Sequence, residues 1–218
     1  MIRLHHCPQA RSFRTLWLMK EMGLDFEVVY RSFFSGELRG NDFLALSPAG
    51  RVPALEIDDR VLFESGATTE YLCETRDSAL WRAPGDDERA DWLEWLHFAE
   101  TIGQHLAALT QQHIALYEDH MRSATVMKLE ARRLEKTLEV VDRVVSGRDY
   151  LLASGFSAVD TNVGYGVMVA QRFVPLDLLP GAKLYLERLE SRPAFQAAQA
   201  MDGKPEIYTR PFYGVPDG

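Results

Sequence analysis

A chain of 218 residues is long enough for one large domain or two modest ones, and a hydrophobic share of 46% supplies a packed core rather than a disordered coil. With 24 Lys and Arg against 32 Asp and Glu, and no basic block to displace phosphate counterions, nucleic acid is excluded as an expected partner. Cys7 and Cys73 are too few for a secreted disulfide framework, no apolar run reaches membrane-spanning length, and the N-terminus lacks a signal peptide's charged and apolar regions. The expectation is a soluble cytoplasmic protein that does not engage a membrane.

Residues 2–5 read as a first strand and residues 6–10 as its exit loop. A helix follows at 11–22, with Phe13, Leu16, Trp17 and Leu18 inward and Gly23 as its C-cap. Residues 26–30 form the next strand, and strand, helix, strand predicts a right-handed unit with a parallel pair. Gly36, Gly40 and Ser47-Pro48 punctuate a turn-rich stretch with a short helix at 41–46. Two apolar runs, 54–57 and 61–63, flank the polar link Asp58-Asp59-Arg60 and predict a β-hairpin. Just ahead of it stands Val52-Pro53, where proline removes a backbone donor and makes a cis bond possible. Ser65 reads as the N-cap of a helix carrying Ala67, Tyr71 and Leu72 at helical spacing. Such an N-terminus suits a carboxylate or phosphate.

Composition shifts at 77–87, and helical periodicity dominates beyond it. One helix at 88–119 carries Trp92, Trp95, Leu96, Ala99 and Ile102 on one face; a second, at 123–146, carries Met127, Leu134, Leu138 and Val141 and ends at Gly147. Ser157 and Asp160 make a capping-box-like start for an apolar run at 161–170. Shorter helices at 181–191 and 193–201 are separated by Arg192-Pro193. The tail from Asp202, rich in Pro, Gly and Tyr, either folds back over the surface or stays loose.

Taken in order, Val52-Pro53, the hairpin, Glu64-Ser65 and the helix resemble the glutathione-binding half of the thioredoxin-like domain in cytosolic glutathione transferases. Phe156-Ser157-Ala158-Val159-Asp160 resembles the Ser/Thr-x-x-Asp box of that family's helical domain, and Ser191-Arg192-Pro193-Ala194-Phe195 its final-helix start. The resemblance implies an α/β thioredoxin-like domain (βαβαββα) at 1–78, a linker at 79–85 and an all-helical bundle domain at 86–218. It also implies glutathione as co-substrate, no metal, and a homodimer.

In the family, the Val-Pro backbone pairs with the cysteinyl part of glutathione and the Glu-Ser pair holds its γ-glutamyl end; here these are Val52, Pro53, Glu64 and Ser65. Gln9, Arg11 and Arg51 complete the implied binding set, Arg11 and Arg51 either pairing with glutathione carboxylates or facing solvent. The thiol must also be helped to ionise. The first βα loop does this in the family through Tyr, Ser or Cys. Here it resembles the bacterial and fungal Ser-Arg-Ser-x-Arg-x-Leu-Trp pattern, with Ala10 in place of the first serine. Three alternatives stand: the Ser12 hydroxyl, the backbone amides of residues 9–12, or Cys7. Cys7-Pro8 resembles the Cys-Pro of glutaredoxins and omega-type transferases, whose cysteine forms a mixed disulfide. His113 and Tyr117, with His105 and His120, are placed on one long helix near the implied electrophile pocket, and no metal-ligand spacing occurs. The expected activity is conjugation of the glutathione thiolate to hydrophobic electrophiles. The alternatives are thiol transfer through Cys7, or a non-catalytic ligand-binding or scaffold protein on the same fold.

Overall fold

The alternation of short apolar runs with one helix-period segment produces a four-stranded mixed sheet. The computed structural model describes residues 1–76 and 78–215. Strands β1 (Arg3–His6), β2 (Glu27–Tyr30), β3 (Ala54–Ile57) and β4 (Arg60–Phe63) lie in the order β2-β1-β3-β4. The β1–β2 connection runs through helix α1 (Ser12–Glu21), long enough to return the chain for a parallel pair. β3 and β4 are joined by only Asp58-Asp59, both with positive φ (50° and 61°), so the turn has the backbone twist that a two-residue hairpin requires. Arg60 already belongs to β4, one residue earlier than the expected link allowed.

Helix α1 buries every residue from Ser12 to Met19. It ends as the Gly23 signal predicts. Gly23 has φ +64°, its N–H donates to the Lys20 carbonyl (3.1 Å), and that of Leu24 reaches the Met19 carbonyl (3.0 Å), which satisfies two orphan acceptors. A short α2 (Asn41–Leu44) inserts Phe43, and α3 (Ser65–Thr75) follows β4 directly, completing a thioredoxin-like βαβαββα order.

The chain divides into two compact units, one of Met1–Ala83 with Glu190–Thr209, the other of Pro84–Leu189 with the residues from Arg210 onward. In the first unit α8 (Pro193–Met201) packs on α1. Phe195 stands edge-on to Trp17 (centroids 5.0 Å, 90°) and Phe13, while Arg192 grips Glu21 through two 2.7 Å bonds.

The second unit is helical. Its helices are α4 (Arg89–Thr110), α5 (Ala124–Val145), α6 (Ala158–Ala170) and α7 (Pro180–Glu190). α6 is buried nearly all round, and it approaches α4 so closely that a Cβ on Gly166 would stand 2.9 Å from Ile102 Cγ2. The expected box forms at its start. The Asp160 carboxylate accepts from Ser157 N (2.8 Å), and it also takes Leu151 N (3.1 Å) and the Tyr185 hydroxyl (2.8 Å). Between α4 and α5, His105 Nδ1 meets Glu130 Oε2 at 2.7 Å, and Arg133 donates to Glu130 Oε1.

The expected helix at 88–119 is shorter than its periodicity suggested. α4 stops at Thr110, a π-helical turn covers Gln111–Ala115, and Leu116 is extended. Arg122 explains the break: its guanidinium donates to the Leu116 carbonyl (2.8 Å) and to Asp119 (3.0 Å), replacing partners that a continuing helix would supply. Tyr117 and His120 therefore lie beyond the helix, His120 in a 3₁₀ turn. Among the described residues no helix is long and apolar enough to cross a membrane.

Asp160→Ala leaves three buried donors without their acceptor, so urea unfolding should show a loss of about 3–5 kcal/mol. Glu130 generates a second expectation. Burial alone pushes its carboxyl up, but the bonds and charges of His105 and Arg133 outweigh this and hold it below the usual range. A lowered folded value contributes stability above the unfolded carboxylate range and loses it as pH falls through the folded one. Acid titration of stability should thus be less steep in Glu130→Gln than in the wild type.

Candidate active site

Ala54 pairs with His5 on one side and Phe63 on the other. That double register gathers three features at one end of the sheet: the exit loop of β1, the Val52-Pro53 peptide just before β3, and the start of α3 just after β4. The Val52-Pro53 bond is cis. These pieces, the first of them 40 or more residues before the other two in sequence, form the candidate site.

The α3 end comes first. The capping position is taken by Glu64 with φ +79° and ψ 113°, not by Ser65, which is the first helical residue. Positive φ is unusual for a glutamate, and the exposed side chain is aimed by a backbone held in a sparsely populated region. Ser65 is buried and its Oγ accepts from Arg14 Nη1 at 3.1 Å. Arg14 is itself fully buried, a cation set beneath a helix N-terminus whose first N–H groups have no partner in the helix. Positive charge and helix dipole add at this point, which makes it the candidate position for an anion. Arg14 was missed as a site residue from sequence; the signal available was an arginine on the inward face of an otherwise apolar helix.

The α1 end is different. Ser12 is fully buried and opens the helix, and its Oγ lies 2.8 Å from His6 Nδ1. Cys7 N donates to the same oxygen (3.3 Å), and the Cys7 carbonyl lies 3.4 Å from it. His6 Nε2 faces only acceptors, the Asp202 carbonyl (3.1 Å) and its Oδ1 (3.2 Å), so this nitrogen carries hydrogen. With a neutral ring, Nδ1 must accept the Ser12 proton; with a charged ring, Nδ1 donates and the hydroxyl turns to the Cys7 carbonyl. In both states the hydroxyl is consumed inside the protein. These bonds make Ser12 an internal link and count against the expected role of sulfur donor.

Cys7 is also fully buried, and its thiol is pushed up to about 12 by burial and by the carboxylates of Glu37 and Glu206, against a smaller opposing effect of Arg31. It is a thiol, not a thiolate, at neutral pH, which counts against the reactive role expected of it. Cys73 is buried in α3 and likewise raised to about 12, mainly by burial.

Gln9, expected to bind ligand, is committed elsewhere. Its Oε1 accepts from Ile207 N (2.9 Å) and Tyr208 N (2.8 Å), its Nε2 donates to the Tyr208 carbonyl (3.2 Å), and its own N–H donates to both Asp202 carboxylate oxygens. The tail therefore folds back. Arg11 is half-buried at the N-cap of α1, and Arg51 is exposed, its backbone pinned by Ser47 Oγ. His113 and Tyr117 belong to the second unit and do not share a helical face. His113 lies in the π turn with its ring 5.6 Å from Phe173 and 5.9 Å from Tyr213, whereas Tyr117 is 77% exposed. Burial, and then the charge of Arg122, hold the His113 imidazole below its usual value. Among the described residues no group of three or more His, Cys, Asp or Glu gathers to hold a metal ion.

Comparison with known proteins agrees with this geometry. Residues 1–74 match the family model described as the glutathione S-transferase N-terminal domain. The chain is 29% identical over 210 residues to glutathione S-transferase 3 of Zea mays, covering 91% of this chain and 93% of that one. It is 28% identical to glutathione S-transferase GstA of Escherichia coli O157:H7, covering 94% and 95%. Among solved structures, glutathione transferase F7 from Populus trichocarpa superposes with a TM-score of 0.81 at 27% identity, over 94% of this chain and all of that one. Its first unit thus matches the glutathione S-transferase N-terminal domain, and glutathione S-transferases align with it across both units, so the chain is similar to that family along nearly its whole length.

Proposed function

We propose that the protein is a cytoplasmic, homodimeric glutathione transferase that conjugates the glutathione thiolate to small hydrophobic electrophiles. The observation that carries this is the buried Arg14 guanidinium bonded to Ser65 at the start of α3, a built anion site at the family's glutathione-binding end. There the γ-glutamyl carboxylate is held by the Ser65 N–H and hydroxyl with Arg14 behind them, and exposed Glu64 answers the ammonium. The backbone of Val52, before Pro53, pairs with the cysteinyl unit, and Arg11 and Arg51 are the cations available to the glycyl carboxylate.

The sulfur then falls at the α1 N-terminus. Because Ser12 spends its hydroxyl internally, the backbone N–H groups opening α1 and the helix dipole are what favour the thiolate. Conjugation needs no protein thiol. The sealed and protonated state of Cys7 supports this reading over thiol transfer. His113 and Tyr117 are proposed as selectors of the electrophile, His113 as a neutral polar contact among aromatic rings.

Calorimetric titration with glutathione in two buffers of different ionisation enthalpy tests the proposal. Binding should release close to one proton near neutral pH. Binding without release would remove the thiol-activating role, and absence of binding would overturn the transferase reading altogether. Two variants refine it. Ser65→Ala removes one ligand contact and the acceptor for Arg14, so glutathione affinity should fall about 5- to 30-fold, the equivalent of one or two hydrogen bonds. Cys7→Ala should leave conjugation within about twofold, whereas a nucleophilic cysteine would lose several orders of magnitude.

A further inference from the structure

We propose that Asp202 and His6 are positioning residues for thiol activation: the C-terminal segment 202–208 is a strap that holds the α1 N-terminus in register through the chain Asp202–His6–Ser12–Cys7. This rests on the reading of the α1 N-terminus as the sulfur site.

The strap is delivered by α8. Because that helix packs on α1, its end falls beside the β1 exit loop, where the Tyr30 hydroxyl donates to the Met201 carbonyl at 2.7 Å. The chain then turns at Gly203, with φ +93°. A Cβ there would stand 3.1 Å from Pro8 Cγ and 3.3 Å from Tyr30 Cε1, so the strap lies tight against the loop. Two carboxylates of the strap fasten two separate loops. Asp202 accepts from Gln9 N on the loop after β1, and Glu206 accepts from Ser32 Oγ (3.0 Å) and Phe33 N (3.3 Å) after β2. The Gln9 side chain clasps Ile207 and Tyr208 in return.

Two features point to function rather than to closure of a core. Gln9 holds φ +62°, a conformation of higher energy for a glutamine, which persists only where surrounding bonds over-determine it. It sits two residues before the helix N-cap. Second, the His6 imidazole, with no exposure, is bonded at both nitrogens, and its two partners are the strap and the first residue of α1. Ser12 passes the constraint on by accepting from Cys7 N, so the loop ends at 7 and 12 are tied to each other and to residue 202. N–H groups stabilise a developing anion only when already aimed at it. The strap supplies that aim, while the α3 anchor of Arg14 and Ser65 is built without it.

The test separates sulfur from anchor. In the full chain, the ionisation of enzyme-bound glutathione is followed by the ultraviolet absorption of its thiolate as pH is raised, and the affinity for S-methylglutathione, which has no ionisable thiol, is measured by calorimetry. Asp202→Ala should raise the bound thiol's pKa by about one unit, a tenfold loss of thiolate, with S-methylglutathione affinity changed less than about threefold. Asp202→Asn removes the charge but keeps an acceptor for Gln9 and His6, so it should restore most of the thiolate, which separates bonding from charge. Gln9→Ala, which cuts the clasp from outside, should shift the thiol in the same direction and serves where Asp202→Ala does not fold. An unchanged thiol pKa in both Asp202→Ala and Gln9→Ala, or a parallel fall in S-methylglutathione affinity, overturns the proposal. A wild-type protein that binds glutathione without ionising it overturns instead the reading on which the proposal rests.

Discussion

A fully buried guanidinium is the constraint on which the first unit depends. Taking a charge such as Arg14 out of water costs several kcal/mol unless acceptors and oriented dipoles surround it. Phe13, Leu16 and Trp17, beside it on the buried face of α1, offer none. The Ser65 hydroxyl does, and it is brought within 3.1 Å because β4 runs straight into α3 with Glu64 as the hinge. The hinge takes a positive φ on a residue with a side chain, and that backbone conformation is where the cost of the arrangement appears. What results is a cation already dehydrated and fixed beneath a helix N-terminus, and under the proposed function the carboxylate of the ligand meets it with little reorganisation.

The strap has an electrostatic consequence beside its mechanical one. Glu206 of the strap and Glu37 in the stretch after β2 both help to raise the Cys7 thiol, second only to its burial. Glu206, which fastens the loop after β2, thus also helps to keep the loop cysteine protonated. A protein acting through its own thiolate would need the reverse, positive charge and access. In this molecule the negative charges near Cys7 are compatible with a thiol supplied by the ligand and stabilised at the helix N-terminus on the other side of the loop.

What was legible in the sequence was what local chemistry decides. Gly23, the Asp58-Asp59 turn and the Asp160 box each involve residues a few positions apart, and each formed where expected, the turn one residue shorter than its expected link. Three features could not be read this way. The break after Thr110 depends on Arg122, a residue already past the break, while the apolar pattern simply continues through it. The partner of α8 is α1, which lies far away in sequence, and periodicity names a buried face but not what covers it. The direction of Ser12 is set by His6 and Asp202. Residue type and spacing identified a hydroxyl at the right helix end, yet only the strap shows that its proton points inward.

Two carboxylates, Asp160 fully buried and Asp202 half-buried, make the difference between these cases concrete. Asp160 gathers Ser157, Leu151 and Tyr185, and two of those partners lie within nine residues of it, so its role is visible as a motif. Asp202 gathers Gln9 and His6 across more than 190 residues, and no motif can show that. The physical device is the same, but its placement differs in consequence. A local carboxylate stabilises the helix it opens, whereas a remote one couples the end of the chain to a loop near its beginning. Under the proposed function, the anchor for the tripeptide uses Arg14 and Ser65 and no residue of the strap, while the loop that meets the sulfur is bonded to it directly. On that reading, affinity for glutathione and ionisation of its thiol are separable, the first set by the buried Arg14 and the second by the half-buried Asp202.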